Sequence, residues 1–116
     1  MAKSKDDPNA ESVDSITINY EEDGVLLVKE LKKEILSRGA WTTIIFLFQE
    51  FDRGSKTYRT PKISLRRYQK RGGSFIQRSK FTISSQKQAM QVSDKLKEWC
   101  LSGQLGGADA AEDDGA

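Results

Sequence analysis

Between residues 15 and 100 the apolar positions fall into short runs separated by glycine-bearing and charged turns. "SITINY", residues 15–20, alternates apolar and polar and fits a short strand or the ordered end of an arm. "EEDG" after it reads as a turn. "VLLVKELKKEILSRG", residues 25–39, carries two patterns at once. Val28, Leu31 and Ile35 recur at helical spacing, whereas the flanking turns suit a long strand. "AWTTIIFLFQEF", residues 40–51, is dense in β-branched and aromatic residues and predicts a strand. Its centre, Ile44 to Phe48, is apolar on both faces, so both faces need cover.

After the turn "DRGSK", "TYRTPKISLRRYQK" predicts a third strand, with Pro61 favouring an edge or a bulge. Ile63 and Leu65 lie on one of its faces. Tyr58, Thr60, Lys62, Ser64, Arg66, Tyr68 and Lys70 lie on the other. "RGGS" turns the chain into "FIQRSKFTIS". There Phe75, Phe81 and Ile83 share one face, and Arg78, Lys80 and Thr82 the other. The last element, "SQKQAMQVSDKLKEWC", predicts a helix. Ser85 with Gln88 forms a capping box, Ala89, Val92, Leu96 and Trp99 make an apolar stripe, and Gly103 is the stop. The order predicts an α+β domain of four strands and then one helix packed on the sheet. Residues 1–15 read as a disordered arm, 16–102 as the domain and 103–116 as a disordered acidic tail.

Charge changes this picture more than composition does. The net charge of +2 conceals strong segregation. Residues 1–28 hold two basic and seven acidic side chains, 29–100 hold seventeen and six, and 101–116 hold none and four. A basic body between acidic ends points to a polyanionic partner, with the tails as competitors for it. The chain has no histidine and one cysteine, Cys100, which removes the commonest general base, an internal disulfide and most metal sites. No phosphate-binding loop, dinucleotide fingerprint or nucleophile elbow is present, so neither an enzyme nor a cofactor is expected. No apolar run is long enough for a membrane helix and no secretory segment opens the chain; an intracellular protein is expected, cytoplasmic or nucleoid-associated, or nuclear in a eukaryote.

The densest cations lie in "KTYRTPKISLRRYQKRGG", residues 56–73, which contains no Asp or Glu. Like charges opposed across strands destabilise a sheet, and a phosphate chain laid over them relieves the repulsion. Arg66, Lys62, Lys70, Arg78 and Lys80 are the candidate phosphate contacts. Tyr58 and Tyr68 are the candidate stacking rings for unpaired bases. An ordinary solvated sheet face is the alternative.

"KISLRRY", residues 62–68, resembles the I-x-I-R-x-Y strand of the positive cofactor four family of transcriptional coactivators. "RSKFTISSQKQ", residues 78–88, is similar to that family's next strand and helix start. "GAWTTIIFLFQEFDRG", residues 39–54, matches the preceding strand and turn. The resemblance spans roughly residues 25–100. It implies a curved four-stranded antiparallel sheet and a C-terminal helix, dimerising through the helix and binding single-stranded DNA or melted duplex. By position it makes Arg66 and Tyr68 contact residues, matches Lys80 to the basic residue of the fourth strand, and matches Arg53 and Phe51 to the pair at the turn after the second. It also tips residues 25–37 towards a strand. Gln69 departs from it, standing where the family often has Trp; Tyr58 is the candidate replacement ring.

The resulting expectation is a non-enzymatic, homodimeric single-stranded DNA-binding protein that assists transcription, replication, recombination or repair. The alternatives are a basic module docking an acidic protein, and an RNA-binding or nucleoid-associated protein.

Overall fold

The computed structural model describes residues 12–106, in two compact units that divide between Thr82 and Ile83. The first is a six-stranded sheet. Its strands are β1 (Tyr20–Glu22), β2 (Val25–Ser37), β3 (Trp41–Asp52), β4 (Thr57–Tyr58), β5 (Lys62–Arg71) and β6 (Ser74–Ile83). The order across the sheet is β1-β2-β3-β5-β6, with β4 paired to the end of β3. The second unit holds the helix α1 (Gln86–Leu101). The α+β class holds, but the sheet has six strands where four were expected. The four long ones match the four apolar runs from residue 25 onward. β1 is three residues long, too short to carry a period of its own, and β4 is the start of the expected third strand, cut off from β5 at residues 59–61.

β2 settles the ambiguous segment as a strand, paired antiparallel to β3 from Val28↔Glu50 to Ser37↔Thr43. The register slips twice, between Glu30 and Lys32 and between Ile35 and Ser37. Each slip is a bulge, in which one extra residue resets the alternation of faces. Val28 and Ile35 are seven apart and would face opposite sides of a regular strand. The bulge at Leu31 returns them to one face, opposite Glu50 and Ile44. The helical spacing seen in sequence is the imprint of that bulge.

β3 organises the unit. Thr42, Ile44, Phe46 and Phe48 are buried on one face, here called the first face. Ile45 and Leu47 on the second face are half-buried. Over the first face lies the chain before β1. Ile16 and Ile18 join Ile44, Phe46, Phe48, Tyr68 and Phe75 in the core. This segment is extended but is held through side chains. Thr17 Oγ1 and the Ile18 N–H donate to the Glu30 carboxylate, and the Asn19 carbonyl oxygen Oδ1 accepts from the Glu30 N–H at 2.7 Å. Lys33 Nζ donates to the carbonyls of Val13, Asp14 and Ile16. Glu30 and Lys33 project from β2 on the core side, and these bonds replace the water they lose. The expected arm, residues 1–15, overlaps the described residues at 12–15, where Val13–Ser15 form a single 3-10 turn capped by Ser12. Residues 1–11 and the rest of the expected tail from 107 lie outside the described residues.

The hairpins close on turns built for them. Asp23 and Gly24 have φ of 52° and 79°, and Gly72 and Gly73 have 59° and 85°. Two consecutive positive φ values define the two-residue turn that matches strand twist. The Gly72–Gly73 pair sets β6 beside β5.

In the second unit, Ser85 Oγ accepts from the Gln88 N–H at 3.1 Å, the expected cap, and Gly103 follows the helix with φ of 81°. The helix contains no buried residue. Met90, Leu96, Trp99 and Leu101 are all more than half exposed.

Candidate nucleic-acid interface

β5 lies antiparallel to β3 with Thr42↔Tyr68, Ile44↔Arg66, Phe46↔Ser64 and Phe48↔Lys62 as partners. Paired residues share a face. The polar row Lys62, Ser64, Arg66 and Tyr68 therefore stands on the first face, beside the core. Ile63, Leu65, Arg67 and Gln69 stand on the second, opposite Leu47, Ile45, Thr43 and Trp41. The apolar thread of β5 was expected inward and its polar row outward. The row instead adapts to the core face. Ser64 is small enough to be fully buried against Phe46, and Tyr68 is only 2% exposed.

Tyr68 is thus a core residue, and its ring offers no platform to a base. Burial raises its phenol above the ordinary value, against an opposing pull from Arg66. A raised folded-state value means that the neutral phenol's stabilisation is complete below the unfolded phenol's pKa and is lost as pH rises through the folded one. Stability is therefore expected to fall in the alkaline range above about pH 10. Tyr68→Phe should blunt that fall, measured as denaturant midpoint against pH. Tyr68→Ala should cost about 3–5 kcal/mol as a core truncation.

Arg66 lays its guanidinium 6.0 Å from the Phe46 ring centre. Its Nε donates to Ser64 Oγ and its Nη1 to Gln77 Oε1, both at 2.9 Å. Lys62 Nζ is tied to Glu50 at 3.0 Å. Lys70 is exposed, with Nζ 5.5 Å from the Phe75 ring centre. Arg53 is exposed in the turn after β3 and reaches Glu22 at 3.4 Å. Asp52 anchors that turn, accepting from the Gly54 N–H at 3.0 Å and the Ser55 hydroxyl at 3.2 Å. These donors, Gly54 first, and Arg59 nearby hold its carboxyl below the ordinary value.

Tyr58 is on the second face. Its ring meets Phe51 edge-on at 5.2 Å, Lys29 Nζ lies 4.8 Å from its centre, and its hydroxyl donates to the Leu26 carbonyl at 2.8 Å. That ring clamps β4 to the sheet and is half-buried. Arg78 is exposed and donates from Nε to Gln69 Oε1 at 3.0 Å, which puts it on the second face with Gln69. Lys80, two residues on, is exposed on the same side by strand alternation.

The expected single basic face is therefore divided. Lys62, Arg66 and Lys70 rim the core side; Arg78 and Lys80 occupy the other. Sequence reasoning passed over Arg67 and Trp41 and took Gln69 only as a missing ring; these three complete the second face. Arg67 holds its guanidinium 4.4 Å from the Trp41 ring centre. The alternation within "RRYQKR" separates Arg67 and Gln69 from Arg66 and Tyr68, but placing Trp41 opposite Gln69 requires the register of β3 on β5.

The described cations differ in their partners. Arg38, Arg53, Arg59, Lys62 and Lys95 are ion-paired, to Asp14, Glu22, Asp52, Glu50 and Glu98. Among the described residues, Arg66, Arg67, Lys70, Arg71, Arg78 and Lys80 of the β5–β6 hairpin have no carboxylate partner. From Arg53 to Ser93 the sequence contains no Asp or Glu, so a carboxylate for these cations would have to come from outside the hairpin, as Glu50 does for Lys62. No family model, curated protein or solved structure matches the chain.

Proposed function

We propose that this chain is a non-enzymatic single-stranded DNA-binding protein that engages the phosphate backbone through the β5–β6 hairpin, in support of transcription, replication or repair. The observation that carries the reading is the set of six hairpin cations without carboxylate partners among the described residues. Concentrated like charge of this kind is self-repelling, and a polyanion removes the penalty. Strand alternation holds four of these cations, Arg67, Arg71, Arg78 and Lys80, on one stiff, extended face, with Arg66 and Lys70 on the other. An extended phosphate chain can follow such a surface and displace its counterions.

The reading is tested by titrating labelled oligonucleotides, single-stranded and duplex, DNA and RNA, over a salt series. Preference for single-stranded DNA with a strong salt dependence supports it. Equal binding of duplex would favour a nucleoid-type role, and preference for RNA an RNA-binding one. Tight binding of an acidic polypeptide with no nucleic-acid binding would favour the protein-docking alternative. That alternative draws on one observation: Tyr68 is buried and Tyr58 is clamped, so neither tyrosine is free to stack.

The same proposal includes a homodimer formed through α1. The exposed Leu96 and Trp99, three apart on one side of the helix, support it, because an uncovered apolar patch marks an association surface. Leu96→Glu is expected to convert a dimeric mass in light scattering to a monomeric one at micromolar concentration. A monomeric wild type would remove the dimer from the account.

A further inference from the structure

The second face brings two of the hairpin cations, Arg67 and Arg78, together with Trp41 and Gln69, which the phosphate reading leaves unused. Trp41 on β3 sits opposite Gln69 on β5. Arg67, next but one to Gln69, places its guanidinium 4.4 Å from the indole centre. Arg78 on β6 donates to Gln69 Oε1 at 3.0 Å. Three adjacent strands thus assemble an indole, a guanidinium stacked on it, a side-chain amide and a second guanidinium. Trp41, Arg67 and Gln69 are half-buried and Arg78 is exposed. Among the described residues no carboxylate pairs with either arginine.

We propose that this cluster is a subsite for one unpaired nucleobase and its phosphate, resting on the single-strand reading above. The chemistry of each group fits. An indole and a guanidinium plane both offer flat, polarisable surfaces on which a base stacks, and neither demands a particular base. Gln69 uses its carbonyl oxygen on Arg78, which leaves its amide N–H groups to serve as donors for a base carbonyl. Arg78 keeps guanidinium N–H groups beyond the Nε committed to Gln69, and these suit a phosphate oxygen. The cations repel a metal ion or a basic peptide. A duplex hides its base faces from such a ring, so the subsite would convert a basic surface into one that discriminates single strands.

The chain has two tryptophans, Trp41 and Trp99. In a Trp99→Phe background the emission reports Trp41 alone. Titration with an oligothymidylate, followed in parallel by the anisotropy of a label on the oligonucleotide, is expected to quench that emission along the binding curve. Trp41→Leu, which keeps apolar bulk but removes the ring, should weaken binding roughly five- to a hundredfold with the salt slope unchanged, and Trp41→Phe should restore most of it. An oligomer of the same length lacking its bases should bind wild type and Trp41→Leu equally. Binding with no quenching and no loss in Trp41→Leu overturns the subsite and leaves the single-strand reading standing. Absence of any anisotropy change at low salt overturns both. Loss of affinity in Trp41→Leu with an equal loss for the base-free oligomer overturns the subsite too, because the ring would then act only through the sheet.

Discussion

Ile18→Asp is expected to destabilise the sheet unit by about 3–5 kcal/mol, a large share of the roughly 5–15 kcal/mol that holds a domain together. Ile18 belongs to the segment before β1, whose alternation fits either a short strand or the ordered end of an arm. It is buried, and with Ile16 it belongs to the same core cluster as Ile44, Phe46 and Tyr68. A carboxylate there would lie among apolar side chains. It would also stand close to Glu30, whose own carboxylate accepts from the Ile18 N–H, so the new charge would be repelled as well as desolvated. The graded companion is Ile16→Val, which removes one methylene and should cost about 0.5–1.5 kcal/mol. Urea unfolding measures both, with the loss read from the midpoint at constant slope. A loss below about 1 kcal/mol for Ile18→Asp would mean that the segment is not part of the core in solution.

The same segment marks where the sequence was legible and where it was not. β3, β5, β6 and the helix followed from periodicity, and the turns from Asp-Gly and Gly-Gly; β2 did not, because its apolar spacing is helical and only the family resemblance tips it to a strand. Ile16 and Ile18 alternate as a strand does, but the alternation reports burial and not pairing. The ladder begins only at Tyr20, and the segment is instead held by Glu30 and Lys33. A charge on a core face cannot be foreseen from a binary pattern. Its partners are backbone carbonyls and short polar side chains eleven to twenty residues away.

The candidate site was legible as a composition and illegible as a surface. The basic, acid-free stretch is visible in the residues. Which face of β5 looks inward is not, because β3 is apolar on both faces and either side of β5 could have met it. Register with β3 decides the matter, and it turns Tyr68 and Ser64 inward. It also moves attention from Tyr68 to Trp41, a residue of the apolar run that carries no charge signal of its own.

The second large effect is on binding. Replacing Arg67, Arg71, Arg78 and Lys80 with Gln removes four cations that have no carboxylate partner among the described residues. It leaves the core untouched, so stability should change by no more than about 0.5 kcal/mol per site. At about −0.7 per single-strand phosphate contact, the slope of log K against log salt should become shallower by roughly 3, and affinity near 50 mM salt should drop about a thousandfold. Single substitutions should each shift the slope by a fraction of that amount, without regard to base sequence. A large loss of affinity with no change in slope would mean that the four side chains hold the surface together instead of contacting phosphate.

The direct test of the account is the slope of log K against log salt for a labelled oligothymidylate, measured by anisotropy on the full chain and on this fourfold variant. The account predicts a wild-type slope of about −3 or steeper, from four or more neutralised phosphates, and a slope shallower by roughly 3 in the variant, the remainder being carried by Arg66 and Lys70. A wild-type slope near zero, or a variant that keeps the wild-type slope, would contradict it.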